Sequence, residues 1–288
     1  MFNLKQSICH AGFGARANED AVGYGKDYCF VIDGASCLSG KNVVDPISDA
    51  AWMAKNVRDS LCALLDKGDS RSTKELLREV ISPLRDKYVD TLQKQGIGAP
   101  TDSPSACFAL FRKRADKLEF FGLGDCVGVA KLPNGEDFWS LDENLTALDK
   151  QVLDRMRIMH EQTGLSIIKA KKLCNDMLIY NRNLRNKQGG YWILDMLSDI
   201  GINNAEEKSW DLTDPICVGA FSDGFAQLTE VFGVYESYTK LFEAMQKNNL
   251  EEMFARLCAL QDADADCNDY PRFKLRDDTC ALWGIFTP

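Results

Sequence analysis

Aspartates stand at the ends of four apolar, strand-like stretches, and this pattern restricts the fold of the chain more than any other feature. The stretches are "FVIDG", "FFGLGD", "VGAFSDG" and "RDDTCALWGIF", and their acids are Asp33, Asp125, Asp223, Asp277 and Asp278. In an antiparallel sheet, the C-terminal end of one strand lies beside the N-terminal end of its neighbour. We therefore expect several of these acids to meet at one edge of the predicted sheets.

A cluster of carboxylates repels itself unless a cation neutralises it. Mg²⁺ and Mn²⁺ do this well, because both prefer oxygen ligands. Gly34, which follows Asp33, has no side chain, so its backbone carbonyl could approach a metal without steric cost. The alternative is that Asp-Gly only ends a strand in a turn. For a single stretch the turn is the ordinary explanation, but its recurrence in one chain favours a metal site.

Further apolar runs predict the strands of an α+β protein. The predicted strands cover Tyr28–Ile32, Ser105–Phe111, Leu118–Leu123, Val127–Lys131, Ile216–Phe221 and Cys280–Phe286. Asn134-Gly135 predicts a hairpin after the fourth of them. Helical patterns separate groups of strands instead of alternating with single strands, which favours an α+β layered arrangement over a βαβ array.

Two helices are predicted between the first strands. Asp45 is the expected cap of one helix, with Pro46 in its first turn. Its apolar positions recur at helical spacing and are Ile47, Ala51, Ala54, Val57, Leu61 and Leu65. Ser72 and Glu75 form a capping box that begins the second helix, and Pro83 is expected to kink it. We predict a single domain over residues 1–288, with a polar helical insertion at about 148–190.

Composition excludes several classes of function. The net charge of −9 argues against nucleic-acid binding, where cationic surface supplies most of the affinity. No apolar run reaches the roughly 18 residues of a membrane span, and the first residues lack the apolar core of a signal peptide. The chain has 11 cysteines and no C-x-x-C pair. Many of them lie in apolar runs, so buried thiols in a reducing compartment are favoured over disulfides, and we expect a cytoplasmic protein.

Five short motifs, in this order, resemble those of the PPM (type 2C) family of metal-dependent protein phosphatases. They are "RANED", "VIDGAS", "GLGDCVG", "AFSDGF" and "RDDTCALW", and the resemblance spans residues of about 16 to 286. The resemblance implies two packed antiparallel β-sheets flanked by helices, a four-layer αββα sandwich, with two Mn²⁺ or Mg²⁺ ions at one end. "NKQGGYW" lies in a stretch similar to the variable insertion of bacterial members.

The resemblance also implies roles for individual residues. Asp33 matches the aspartate that bridges both metals, and Gly34 matches the glycine whose carbonyl binds one of them. The remaining matches are Asp223 and Asp277 as further metal ligands, Asp278 as the fallback for Asp277, Glu19 and Asp20 as acids that hold metal-bound water, and Asp125 as the acid of a third, weaker metal site. Water activated by two divalent ions could attack phosphorus without a covalent enzyme intermediate.

Three positions depart from the family pattern. Ala35 replaces a histidine proposed as a proton donor, and Gln227 replaces an aspartate of the third metal site. Arg16 lies one residue away from the place of the phosphate-binding arginine, which Ala15 occupies. Arg16 is therefore a candidate phosphate ligand, with an ordinary surface arginine as the alternative. The only histidines, His10 and His160, are interpreted as structural or solvated residues.

The leading hypothesis is a protein-serine/threonine phosphatase, a phosphoric monoester hydrolase that acts as a monomer on phosphorylated proteins. The missing histidine and the displaced arginine leave open a second hypothesis, a catalytically weak phosphatase-like module that senses or binds a partner. A third is a metal-dependent hydrolase of small phosphoesters. The surviving Asp33, Asp223 and Asp277 oppose the second hypothesis, because a pure scaffold has no need of self-repelling acids.

Overall fold

The computed structural model describes residues 1–38, 40–98 and 102–288. Within these residues the chain forms strands that build two antiparallel sheets. The strands are β1 Phe2–His10, β2 Asp20–Gly25, β3 Tyr28–Ala35, β4 Ser105–Arg114, β5 Lys117–Leu123, β6 Val127–Lys131, β7 Asp137–Ser140, β8 Leu194–Asp195, β9 Glu206–Asp211, β10 Ile216–Phe221 and β11 Thr279–Phe286.

The helices of the same residues lie outside the sheets. They are α1 Asp49–Leu65, α2 Thr73–Lys94, α3 Glu143–Thr163, α4 Ile167–Ala170, α5 Asn175–Arg182, α6 Ile200–Asn203, α7 Asp223–Glu230, α8 Tyr238–Lys247 and α9 Leu250–Ala263, with a 3₁₀ turn at Lys171–Cys174 between α4 and α5. No helix in this part of the chain has the length and apolar character needed to cross a membrane.

The two sheets are formed by different sets of strands. The first sheet has the order β1-β11-β10-β6-β7, so the last strand lies between the first strand and β10. The second has the order β2-β3-β4-β5-β9, and β8 pairs with β4. All pairings between these strands are antiparallel, and the pairing of Phe2 with Phe286 joins the two ends of the chain.

Alternating side chains of β3 explain why the second sheet is buried on both faces. Cys29 and Val31 pack between the two sheets, whereas Phe30 and Ile32 pack against α1 and α2. Successive strand residues point to opposite faces, so a strand covered on both sides reads as an unbroken apolar run. This is the reason that Tyr28–Ile32 is recognisable as a strand from the sequence.

Helices α7, α8 and α9 cover the outer face of the first sheet. Val127 and Val129 of β6 pack there with Phe225 of α7, Phe242 of α8 and Leu257 of α9. The layers therefore follow the order α1/α2, second sheet, first sheet, α7–α9. The predicted α+β class and the four-layer αββα sandwich of two antiparallel sheets are confirmed.

The predicted strands and the hairpin are all present, but one helix cap was wrong. The hairpin joins β6 to β7, with Gly135 at a φ of 86°. Ser48, not Asp45, caps α1, and its side chain accepts a hydrogen bond from the Ala51 amide. The Asp45 carboxylate instead accepts from the amides of Ile47 and Ser48, so it closes a turn before the helix.

The second helix begins as predicted. The Ser72–Glu75 capping box is present in both directions at the start of α2. Pro83 lies inside this helix, which continues to Lys94. The helices of the predicted insertion, α3 to α5, begin at Glu143, a few residues before the expected boundary. The single domain over 1–288 stays a prediction.

Arg272 anchors the loop that leads into β11. This residue is only 2% exposed. Its guanidinium donates to the Asp264 carboxylate at 2.8 Å and to the backbone carbonyls of Gln261 and Leu275. A buried charge is tolerated when it is paired and hydrogen-bonded. Arg272 therefore fixes the position of residues just before Asp277.

We predict that Arg272→Met lowers the free energy of unfolding by about 3–5 kcal/mol, because it leaves Asp264 buried without its counter-charge. Arg256→Met is the matched control, since Arg256 is exposed on α9, and its effect should stay within about 0.5 kcal/mol. Urea unfolding measures both. Equal stabilities for the two variants would contradict the anchoring role of Arg272.

Candidate metal centre

Asp20 and Asp33 lie directly opposite each other on adjacent strands, β2 and β3. Cross-strand partners on one face of an antiparallel pair are close neighbours. The Ser222 hydroxyl donates to Asp20 Oδ2 at 2.7 Å, whereas Asp20 Oδ1 is buried without a hydrogen-bond partner. Burial raises the pKa of Asp20 well above its ordinary value. The hydrogen bond from Ser222 lowers this pKa, and the charge of Asp223 raises it further.

Asp223 meets Asp33 at the end of the sandwich. Asp223 is the first residue of α7, two residues after the end of β10, and it lines one cavity together with Asp33. Carboxyl groups that share a buried site disfavour each other's charged form. Burial, together with the charges of the neighbouring acids, raises the pKa of both groups well above the ordinary value.

Asp125 follows β5 through Gly124, whose φ of 71° places it in the left-handed region. A β-carbon at Gly124 would also lie 2.3 Å from the Cys107 sulfur, so the turn requires glycine. Burial, followed by the charges of Asp149 and Glu230, raises the pKa of Asp125 to about 7. Asp125 lines one cavity together with Asp33, Asp223 and Asp277.

Asp277 and Asp278 face different surroundings, which bears on the choice that the sequence left open. The Asp278 carboxylate, 6% exposed, accepts from the amides of Gly12 at 2.6 Å and Glu19 at 2.9 Å. Asp277 lines the cavity with Asp33 and Asp223 and pairs with the Lys274 ammonium at 2.5 Å. Both oxygens of Asp278 are therefore engaged by backbone, whereas Asp277 faces the acid cluster.

Glu19 and Arg16 lie on the opposite side of Asp277, in a second cleft. The Glu19 carboxylate accepts hydrogen bonds from the hydroxyls of Ser36 and Ser48, the latter at 2.5 Å. Glu19 is thereby tied to the N-terminus of α1. Arg16 is exposed on the rim of this cleft, near the predicted acids but outside the cavity that Asp33 and Asp223 line.

Gly34 is required for a reason that the sequence did not reveal. A β-carbon at this position would lie 2.7 Å from the carbonyl oxygen of Glu19 and 3.1 Å from that of Ala50. The Gly34 amide also donates to the Glu19 carbonyl at 3.0 Å. Close approach of two backbone segments explains the glycine, and metal binding by its carbonyl stays a prediction.

Sequence reasoning missed Asp149 and Lys274, which line the same cavity. For the basic stretch Lys169–Leu173 the sequence favours a solvated helix face over a surface that steers a phosphorylated substrate, and the structure places its Lys171 in this cavity. Burial, and then the charge of Asp223, raises the pKa of Asp149 to about 7. Asp149 and Lys171 belong to the helical segment that was treated as a polar insertion, and no local pattern connects them to the strand ends. Lys274 lies three residues before Asp277, so its place beside the acid motif was the available signal.

The side-chain chemistry fits divalent cations, although some of the acids already contact other side chains of this protein. In the described ranges, no three His, Cys, Asp or Glu side chains are arranged so that they could hold one metal ion. Asp277 is paired with Lys274, and the charge of Asp223 acts on Asp33. The donors are carboxylate oxygens, which hard cations prefer, and Asp20 Oδ1 is a buried acceptor without a partner. Metal binding therefore has to displace the Lys274 ammonium from Asp277, and it competes with protons because the pKa values of Asp33 and Asp223 are raised.

Comparisons with known proteins identify the fold. No family model matches the sequence, and no curated protein matches it. Among solved structures, the catalytic domain of the serine/threonine protein phosphatase PstP in complex with two manganese ions is 14% identical, with a TM-score of 0.53. The match covers 99% of this chain and 98% of that one.

Two further structures match over the whole length of both chains. The Mycobacterium tuberculosis serine/threonine phosphatase PstP/Ppp is 13% identical, with a TM-score of 0.55, and the S. agalactiae serine/threonine phosphatase is 11% identical, with a TM-score of 0.53. The chain therefore has the fold of the PPM-type serine/threonine phosphatases, in agreement with the motifs of its sequence.

We predict that, in chelator, the melting temperature falls as the pH rises from about 4 to about 7. The unfolded chain releases the protons of Asp125 and Asp149 near the ordinary pKa of 3.8, whereas the folded protein keeps them up to about 7. In this window the folded state binds more protons, so a rise in pH favours unfolding. Thermal melts in chelator across this range measure the fall.

Asp149→Asn should flatten this dependence, because the amide has no proton to release. Glu161→Gln is the matched control, since Glu161 is an exposed acid on the same helix, and it should leave the slope unchanged. An unaltered slope in Asp149→Asn would contradict the raised pKa of Asp149.

Proposed function

We propose that this protein is a Mn²⁺- or Mg²⁺-dependent phosphatase that hydrolyses phosphoserine and phosphothreonine in proteins. One observation carries the proposal: Asp20, Asp33 and Asp223 crowd together at one end of a sandwich whose fold is that of serine/threonine phosphatases. Crowded carboxylates raise one another's pKa, and bound cations relieve this repulsion. The matched PstP catalytic domain was solved with two manganese ions, which supports the same cofactors here.

The acids divide into ligands and supporting groups. Asp33, Asp223 and Asp277 are the proposed metal ligands, with Gly34 contributing its carbonyl and Asp125 serving a weaker third site. Two divalent ions held there would neutralise these acids and lower the pKa of the water that attacks phosphorus. Asp20 lies opposite Asp33 and has one oxygen without a partner among the described residues, which supports the proposal that it orients that water.

Residues of the N-terminal loop hold this arrangement in place. Asp278 binds the amides of Gly12 and Glu19, and Glu19 binds Ser36 and Ser48. Glu19 is therefore proposed as a positioning acid for the water, fixed by two hydroxyl groups. Arg16 lies on the exposed rim of the neighbouring cleft, and we propose that it contacts an approaching substrate.

The departures from the family pattern have physical consequences. Gln227 lines a cavity with Asp125, and its carbonyl accepts from the Gln261 amide at 3.0 Å. An amide carries no charge to offset a cation, so we propose that the third site is weak. Ala35 supplies no proton to the leaving group. The surviving acids still argue against a catalytically silent module, because such a module would gain nothing from groups that repel one another.

The proposed substrate is a phosphorylated protein, and the protein is proposed to act as a monomer in the cytoplasm, with neither nucleic acid nor membrane as partner. The net charge of −9 disfavours binding to phosphate backbones. The cysteines, several of them buried in the sheets, suit a reducing compartment.

We predict that release of phosphate from a phosphothreonine peptide requires Mn²⁺ or Mg²⁺. Asp223→Asn should lower kcat by more than about 100-fold, which exceeds the loss expected when a residue that only supports a metal ligand is replaced. In chelator the variant should melt at an equal or higher temperature, because one repelling charge is gone. Asp214→Asn, in an exposed turn, is the matched control and should keep full activity.

Two results would contradict the proposal. The first is full activity of the unmodified protein after exhaustive removal of divalent metals. The second is equal activity of Asp223→Asn and Asp214→Asn at saturating Mn²⁺.

A further inference from the structure

Lys171 is a partly buried cation without a carboxylate partner. It begins the 3₁₀ turn after α4, and its ammonium donates to the Phe273 carbonyl at 3.1 Å. No Asp or Glu oxygen of the described residues lies within the 4.0 Å of an ion pair from it. A lysine ammonium has three N–H donors, so it can still donate to an incoming anion.

The position of Lys171 faces the acids of the candidate metal centre. It lines a cavity of about 200 Å³ together with Asp33, Asp223, Asp277 and Lys274. Lys274 is already paired with Asp277, whereas Lys171 is not. Burial, and then the charge of Lys274, lowers the pKa of Lys171, so its charged form would be stabilised by a bound anion.

The helical segment that carries Lys171 is firmly attached beside the cavity. Arg182 of α5 donates to the Ser36 carbonyl at 3.2 Å and pairs with Asp102 at 3.1 Å. The Asn181 amide donates to the Leu148 carbonyl at 3.1 Å. These contacts tie α5 to the loop after β3 and to α3, so Lys171 is held at a fixed place relative to Asp33.

We propose that Lys171 binds a non-bridging oxygen of the substrate's phosphoryl group, across the cavity from Asp33 and Asp223. This inference rests on the proposed phosphatase function and assigns the phosphate-binding cation to the helical segment. Arg16 lines a different cleft and is exposed, so it contacts the surrounding peptide. A phosphate monoester dianion is the chemical class that would pair with an ammonium on one side and with divalent cations held by the acids on the other.

The test compares Lys171→Gln and Lys171→Arg with Lys172→Gln, an exposed lysine one residue further on. Kinetics with a phosphothreonine peptide give KM and kcat, and inorganic phosphate serves as a competitive inhibitor. Lys171→Gln should raise KM and the phosphate inhibition constant by about 10- to 100-fold, the range for a hydrogen bond to a charged group, and change kcat less. Lys171→Arg should keep most of the phosphate affinity, and Lys172→Gln all of it.

Two outcomes overturn the inference while the proposed function stands. One is hydrolysis by the unmodified protein with unchanged KM and phosphate inhibition in Lys171→Gln. The other is phosphate affinity in Lys171→Arg as weak as in Lys171→Gln, which would assign the effect to the Phe273 contact. If the metal-loaded, unmodified protein hydrolyses nothing, the proposed function fails.

In that case, calorimetry measures the binding of inorganic phosphate to the unmodified protein and to Lys171→Gln. Weaker binding in the variant supports the assignment of Lys171 as the phosphate ligand. Equal binding in the two proteins, or no binding in either, overturns it.

Discussion

The mutual repulsion of carboxylates at one end of the β-sandwich is the constraint on which the rest of the structure depends. The register of β2 and β3 places Asp20 opposite Asp33, and the start of α7 brings Asp223 to the same place. Compensation is local: Ser222 donates to Asp20, and burial with the neighbouring charges raises the pKa values of Asp33 and Asp223. The buried layers on both faces of each sheet hold these acids together in spite of their charge.

Positive groups complete the cavity from two separate parts of the chain. Lys274 comes from the loop before β11, which Arg272 anchors through its pairing with Asp264. Lys171 comes from the helical segment that Arg182 fixes to the loop after β3. The cavity therefore joins acids at or next to the ends of strands to cations carried by connecting segments. Such a division is typical of sites in which a stable scaffold positions charges and connecting segments contact the substrate.

The sequence predicted the acids but not their neighbours, and the difference has a physical cause. Strands buried on both faces read as apolar runs, so the aspartates at their ends were recognisable. β1 escaped prediction because its register shifts between Leu4 and Gln6, and β9 because its side chains are polar and mostly exposed. The places of Asp149 and Lys171 depend on how the helical segment packs, which no local pattern encodes.

Anomalous diffraction from crystals grown with Mn²⁺ tests the central claim most directly, because it locates the metal without reference to activity. The account predicts two strong manganese peaks at the end of the sandwich, within bonding distance of carboxylate oxygens of Asp33, Asp223 and Asp277. It also predicts that Lys274 moves away from Asp277. Manganese bound only at other sites, with the Lys274–Asp277 pair intact at saturating metal, would contradict it.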